Sequence, residues 1–326
     1  MMKICADAGG SKVKFAVVDE HYHVRRIANY NVVDLPKGEA GFITALSNFV
    51  EEISHHVDLK EVTQLAIGAA GPVENDSVQF TNSDWSIARN CLAQELSKLI
   101  PGQFKTALLN DFEALAYGLV LLEDEDILAI NRGNPKGETK IVCGPGTGLG
   151  LAGLRSLSSN KYDVIALASE GGHQSFAAET PVEREIWDYL AQPVVSYEHI
   201  LSGRGLQALY NFFSIQSGNL NEAPSPIGVV KQYRNENKIA IRTLETFASI
   251  LGSFCGNMIL ALGARRGVYL WGGILHEFPQ QLLRLNMLKR LQQRPQGSFV
   301  ADAPVFQIIS GDVAVKGCAL YADKCD

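Results

Sequence analysis

The chain has 326 residues, 46% hydrophobic and 20% charged, enough apolar material for one large domain or two. A net charge of −6 argues against a nucleic-acid-binding protein, which normally presents a basic surface, but leaves room for an anion held by local backbone groups. The cysteines are scattered without a C-x-x-C pair and read as buried free thiols of a reducing compartment, not as metal or disulfide sites. No apolar run of about 18 residues and no leader pattern precede or interrupt the fold, so the expectation is a cytoplasmic protein with no membrane partner.

Residues 3–6 predict a short strand, Asp7-Ala8-Gly9-Gly10-Ser11-Lys12 a turn, and the alternation of Val13, Phe15 and Val17 with Lys14 and Ala16 a second strand. Strand, Gly-Gly turn and strand make a hairpin, which excludes a dinucleotide fingerprint feeding a helix. A third strand near 25–32 precedes a helix over 41–54 with Phe42, Ala45, Leu46, Phe49, Val50 and Ile53 on one face. Residues 65–69 read as a buried strand running into Gly71-Pro72. A short strand at 78–80, the polar stretch Thr81-Asn82-Ser83-Asp84-Trp85 and a helix over 86–100 follow. The apolar strand ending at Leu109 meets Asn110-Asp111, and an Ala- and Leu-rich helix begins at once and runs to near Leu122.

Residues 139–143, Gly144-Pro145-Gly146-Thr147-Gly148 and 149–154 repeat the strand, glycine turn, strand unit. Two halves that open alike suggest two related domains facing a common cleft. The second half predicts helices over 180–191, 202–213, 241–262 and 277–293 and a polar loop over 216–226. A buried strand over 268–271 ends at Gly272-Gly273, and a late strand at 305–309 leads to a terminal helix over 311–323, with Asp312 as its cap.

Several stretches could carry chemistry. Asn110-Asp111 places a carboxylate where a strand gives way to a helix; it suits either a helix cap or a ligand contact in a cleft. In Asp7–Ser11, Gly9 and Gly10 could let backbone N–H groups converge on phosphate oxygens, Ser11 could donate, and Asp7 could hold Mg²⁺ through water; an ordinary hairpin turn is the plain alternative. Gly144, Gly146, Gly148 and Gly150 within seven residues exceed what one turn needs, and close backbone approach to an anion explains them. Glu170-Gly171-Gly172-His173 joins an acceptor and a donor suited to a polyhydroxylated ligand, or forms a polar turn. Glu198 adds a second carboxylate there, or starts a helix. Gly272-Gly273 could let adenine lie against the backbone, or open a helix. His55-His56 read as solvated and inert.

Taken in order, these stretches resemble the bacterial glucokinase family of the actin-like, hexokinase-type sugar kinases. Ala6-Asp7-Ala8-Gly9-Gly10-Ser11 and Gly144–Gly150 resemble its phosphate loops, Leu109-Asn110-Asp111 its catalytic segment, and Glu170–His173 with Glu198 and Leu201–Leu206 its sugar contacts. Gly272-Gly273-Ile274 resembles its adenosine segment. The resemblance implies a two-domain α/β, ribonuclease-H-like ATPase fold with a cleft, a small domain of residues 1–110 plus 311–326 and a large one of 111–310. It implies ATP and Mg²⁺ as cofactors, transfer of the γ-phosphate to the 6-hydroxyl of glucose, domain closure that excludes water, and a homodimer. Asp111 is then the base and itself a sugar contact, with Asn110, Glu170, His173 and Glu198 also on the sugar. Ala6, Asp7, Ala8, Gly9, Gly10, Ser11, Gly144, Gly146, Thr147, Gly148, Gly272 and Gly273 are then on the nucleotide.

Ser11 stands where the family usually has Thr and Lys14 where it has Arg. Gly71-Pro72-Val73-Glu74 is nearer to broader sugar-kinase relatives and bears on which sugar is used. A kinase for another hexose or an amino sugar, or a non-catalytic sugar-binding regulator, are the alternative readings.

Overall fold

The computed structural model describes residues 1–81, 83–100, 102, 104–219 and 222–325. The chain divides into two units: Met1–Glu125, Ser158–Ala168 and Ser310–Asp326 form the first, Asp126–Leu157 and Ser169–Ile309 the second.

In the first unit β1 (Met2–Ala8) turns back through Gly9-Gly10-Ser11 onto β2 (Lys12–Asp19), which pairs with β3 (Val24–Asn31), all antiparallel. β4 (Val62–Ala69) runs parallel to β1. A small meander follows, β5 (Val73–Glu74), β6 (Ser77–Gln79) and β7 (Ser86–Ala88), and β8 (Lys105–Asn110) then joins parallel to β4. The sheet order is β3-β2-β1-β4-β8.

Both faces of this sheet are covered, so Ala16 and Val18 are as buried as Phe15 and Val17, and the alternation expected of β2 gives way to an apolar run. On one face the helix Glu39–Ser54 sets Phe42 and Phe49 around Phe15, at ring-centre distances of 5.4 and 5.3 Å. Each such ring contributes about 1.5–3 kcal/mol by leaving water. The terminal helix Val313–Ala322 packs against β1 and β4. Asp312 precedes it without capping it: its carboxylate pairs with Lys316 at 3.1 Å instead.

The helix expected over 86–100 begins only at Arg89, because β7 holds Ser86–Ala88 extended against β6 with Ile87 in the core. The helix that starts at Asp111 stops at Gly118, short of Leu122. There the backbone meets the start of the terminal helix so closely that a Cβ on Gly118 would lie 2.2 Å from the Val313 carbonyl oxygen. Asn82, within the polar stretch before Trp85, lies outside the described residues; Trp85 is wholly buried and donates its indole N–H to the Pro36 carbonyl.

The second unit repeats the scheme. β9 (Ile127–Asn131) comes first, β10 (Thr139–Pro145) and β11 (Leu149–Ser156) form an antiparallel hairpin, and β12 (Val164–Ser169) lies where the chain passes from one unit's residues to the other's. β13 (Gly267–Leu270) joins parallel to β10, β14 (Val305–Ile308) parallel to β13, and β9 closes antiparallel on β14. In each unit, then, a hairpin gains two parallel strands on the side of its first strand. β9 and β12 are not legible as strands in the sequence; β9 buries only Ile130.

The helix Lys238–Leu262 is long and apolar enough by composition to cross a membrane, yet Phe247, Leu251, Phe254 and Met258 are buried in the core of this unit. The helix expected over 277–293 is broken. Pro279 separates Gly273–Glu277 from Gln280–Leu282, and a π-helical turn, Leu283–Met287, precedes Leu288–Gln292. Of the polar loop over 216–226, Leu220 and Asn221 lie outside the described residues. A helix, Pro226–Arg234, follows it, capped by Ser225. A largely buried ion-pair cluster ties the helix Leu288–Gln292 and the residues after it to the helix Pro181–Leu190 and the segment before it: Arg294 grips Glu179 with two bonds of 2.6 Å, and Arg290 reaches Glu179 at 3.1 Å and Glu183 at 2.8 Å.

Candidate active site

Because β1, β4 and β8 are parallel, their carboxyl ends share one edge of the first unit, with Ala8, Ala69 and Asn110 in register. Ligands of open α/β sheets meet the chain at such ends. Asn110 is the N-cap of the helix Asp111–Gly118. Its Oδ1 accepts from the N–H groups of Phe112 (2.9 Å) and Glu113 (3.4 Å), and Glu113 Oε2 accepts the Asn110 N–H at 3.2 Å, completing a reciprocal capping box. Capping therefore falls to Asn110, and Asp111, the first helical residue, keeps its carboxylate at the positive end of the helix. The remaining Asn110 donor, Nδ2, gives a bond of 3.1 Å to the Gly71 carbonyl, tying the strand end to Gly71-Pro72. Gly68 lets the helix close on β4: a Cβ there would lie 2.8 Å from Ala114 Cβ and 3.6 Å from Asp111 Cα.

Asp7 lies two strands away in the same sheet, about 10 Å by ordinary strand spacing, opposite Lys14 across the hairpin. Burial raises its carboxyl above the ordinary 3.8, with Lys14 opposing that shift. Lys14 itself donates to the Gly311 carbonyl. Among the described residues no group of three or more His, Cys, Asp or Glu is placed to hold a metal. A Mg²⁺ carried by nucleotide phosphates needs only one or two protein carboxylates. Asp7, with a desolvated charge that a dication would offset, fits that part. Gly9, Gly10 and Ser11 form the turn, Ser11 exposed; Ala6 and Ala8 are wholly buried ladder residues, so their side chains face the core.

In the second unit four segments converge by close backbone approach. A Cβ on Gly144 would lie 1.4 Å from the Trp271 carbonyl oxygen, and one on Gly272, whose φ is +137°, 2.3 Å from that of Pro145. The glycine turn after β10 thus packs on Gly272-Gly273 after β13. A Cβ on Gly172 would lie 1.9 Å from the Leu149 carbonyl oxygen, which seats Glu170–His173 on β11. The Gly203 N–H donates to the Gly146 carbonyl at 2.9 Å, and Glu198 Oε2 accepts the Leu149 N–H at 2.9 Å. Gly146 and Gly273, by contrast, face open space, and Thr147 is exposed. His173 Nε2 stands 3.8 Å from Glu170 Oε2 and 3.9 Å from Glu198 Oε2, so the three polar side chains singled out in the sequence form one cluster.

The structure thus gathers Asn110, Asp111 and Asp7 on one sheet edge of the first unit, and the two glycine turns, Glu170, His173 and Glu198 at one place in the second. Sequence reasoning missed Glu113 and the Leu149 N–H. The Asn-x-x-Glu capping spacing was a usable signal for the first; nothing local marks the second.

A β-hairpin extended by two parallel strands, used twice, with glycine turns and a carboxylate at strand ends, is the pattern of the two-domain actin-like fold, the fold of the sugar kinases. The sequence model of the family described as Glucokinase matches residues 4–325, and the chain belongs to that family. It is 32% identical to a glucokinase of Chromobacterium violaceum over 98% of this chain and 88% of that protein. Its fold matches the crystal structure of a glucokinase from an Antarctic psychrotroph with a TM-score of 0.81, at 25% identity over 99% of both chains. It also matches a ROK family glucokinase from Streptomyces griseus, solved in complex with glucose and AMPPNP, with a TM-score of 0.71 at 19% identity over the whole of both chains.

Proposed function

We propose that this chain is an ATP-dependent glucose kinase in which Asp111 accepts the proton of the sugar 6-hydroxyl as the γ-phosphoryl group is transferred to it. Membership of the family supports the activity. The observation that carries the assignment of Asp111 is its place: it is the first residue of a helix that begins at the carboxyl end of β8, where Asn110 makes the capping box with Glu113 and Asp111 Oδ1 accepts the Phe112 N–H at 2.9 Å.

A sugar hydroxyl is a weak nucleophile, and a carboxylate that orients it and takes its proton serves as the general base. The helix N-terminus favours the ionised form. Asp111 is therefore an orienting acceptor that takes the proton late, as the loose transition state collapses, and not a strong base that ionises the sugar first. Asn110, Glu170, His173 and Glu198 hold the other hydroxyls: carboxylates accept, the amide and imidazole donate. Gly9, Gly10, Ser11, Gly144, Gly146, Thr147 and Gly148 meet the phosphates, and Gly272-Gly273 the adenosine, with Ala6 and Ala8 supporting from the core. Asp7 would hold Mg²⁺ carried by the nucleotide phosphates; when bound, the ion would supply charge neutralisation on the phosphoryl oxygens. A cytoplasmic homodimer that takes no nucleic acid or membrane partner completes the reading.

Coupled measurement of ADP release over a panel of glucose, mannose, fructose and glucosamine tests it. Glucose is expected to give the highest kcat/KM. Folded protein that binds ATP yet turns over none of the sugars would overturn the kinase assignment. A better rate with another sugar would move the specificity to it, with Gly71–Glu74, tethered to Asn110, as the segment to examine.

A further inference from the structure

We propose that Gly148, a residue of the nucleotide side, sets sugar affinity, because its missing side chain makes room for the carboxylate of Glu198. The inference rests on the reading of Glu198 as a sugar contact and of Gly144–Gly150 as a phosphate loop. Glu198 Oε2 accepts the Leu149 N–H at 2.9 Å, and a Cβ on Gly148 would lie 2.5 Å from that same oxygen and 3.1 Å from Glu198 Cδ. Five residues on, the Gly203 N–H is bonded to the Gly146 carbonyl. The loop is therefore fastened at two points to the segment that carries Glu198, one through backbone alone and one through the carboxylate itself. The Glu198 side chain is only 22% exposed, against 65% for Glu170, so its position is fixed by this seat and not by solvent.

The consequence is specific to this glycine. Gly148 is not in the left-handed region, so alanine meets no backbone strain there. The obstacle is the far end of one flexible side chain, and an alanine leaves the chain path intact while pushing the Glu198 carboxylate off the Leu149 N–H. A Cβ on Gly146, two residues earlier, would meet nothing within 4 Å, so substitution there separates the two roles of the loop.

Calorimetric titration of glucose into nucleotide-free protein tests this. Loss of a charge-assisted bond that fixes a ligand contact weakens binding about tenfold or more, so Gly148→Ala is expected to raise the glucose Kd by at least that factor. Gly146→Ala is expected to move it by less than about twofold while raising the KM for ATP. Shortening the acid by one methylene relieves the conflict, so in a Glu198→Asp background Gly148→Ala should add little further loss. A folded Gly148→Ala with wild-type glucose affinity would overturn the proposal.

If Gly148→Ala does not fold, its combination with Glu198→Asp should restore folding; failure to do so also overturns it. Glu198→Ala separates the two levels. Unchanged glucose affinity in that variant removes Glu198 from the sugar site and the proposal with it. A weakened Glu198→Ala beside an unaffected Gly148→Ala leaves the sugar contact standing and sinks only the role of Gly148.

Discussion

Replacing Asp111 by Asn isolates the proton acceptor from everything else its position does. The side chain keeps its shape and an oxygen able to accept the Phe112 N–H, which Asp111 Oδ1 receives at 2.9 Å. The cap and its reciprocal Glu113 contact belong to Asn110 and are untouched. What folding loses is one charge at a helix N-terminus, about 0.3–1 kcal/mol. What catalysis loses is a general base, about 10²- to 10⁴-fold in kcat, or roughly 3–5 kcal/mol of barrier at 1.36 kcal/mol per decade. The two magnitudes differ enough to be read apart. Asp111→Asn should unfold within about 1 kcal/mol of wild type in urea, bind glucose with a Kd within about threefold, and lose at least a hundredfold in kcat in the coupled ADP assay. A kcat within tenfold of wild type would refute the base assignment. A parallel collapse of glucose affinity would turn Asp111 into a binding residue. Asn110→Ala should instead lose about 1–2 kcal/mol of stability with its cap, read in the same urea unfolding, and weaken glucose binding as well.

Gly144→Ala should destabilise by about 3 kcal/mol or more, because its Cβ meets the Trp271 backbone and not a movable side chain; near-native urea unfolding would contradict that packing. Burial alone would raise Glu179, but its bonds to Arg294 and the charges of Arg294 and Arg290 hold it below the ordinary 4.5. Below that value the unfolded state binds more protons, so stability from this group is present above pH 4.5 and is lost as pH falls through the folded value. Arg294→Met should cost about 3 kcal/mol at neutral pH and flatten acid unfolding in that window; an unchanged acid profile would remove the cluster from the pH response. Cys5, Cys143, Cys255 and Cys318 are buried, while Cys91 and Cys325 are partly open. A hydrogen bond to Glu39, then burial, pushes Cys91 up to about 11. A thiol reagent at pH 8 should therefore label Cys325 first, Cys91 slowly and the other four only on unfolding, as peptide mapping would check.

Much of the fold was legible because it depends on neighbours in the chain. The hairpins betray themselves by glycine turns between alternating residues, the helix Glu39–Ser54 by its apolar stripe, and Asn110-Asp111 by the switch from strand to helix. Failures fall where a distant partner overrules local preference. Ser86–Ala88 is extended because β6 holds it, and β9 is a strand because β14 offers it an edge. The segment over 277–293 has helical periodicity throughout, but Pro279 and the π turn divide it.

The site divides along the same line. The sequence alone determined which residue types stand at which strand ends, the order of the motifs, and through that order the family. These are properties of short segments, fixed by turn geometry and by what a phosphate or a sugar hydroxyl can bond. Only the tertiary structure decided what each glycine is for. Gly144, Gly172 and Gly272 are there so that backbones can touch, Gly146 and Gly273 face open space, and Gly148 makes room for a carboxylate. It alone seated Glu198 on the Leu149 N–H, across 49 residues of chain. No periodicity reports a contact at that separation, because what selects it is the space left when two segments are packed by the rest of their unit.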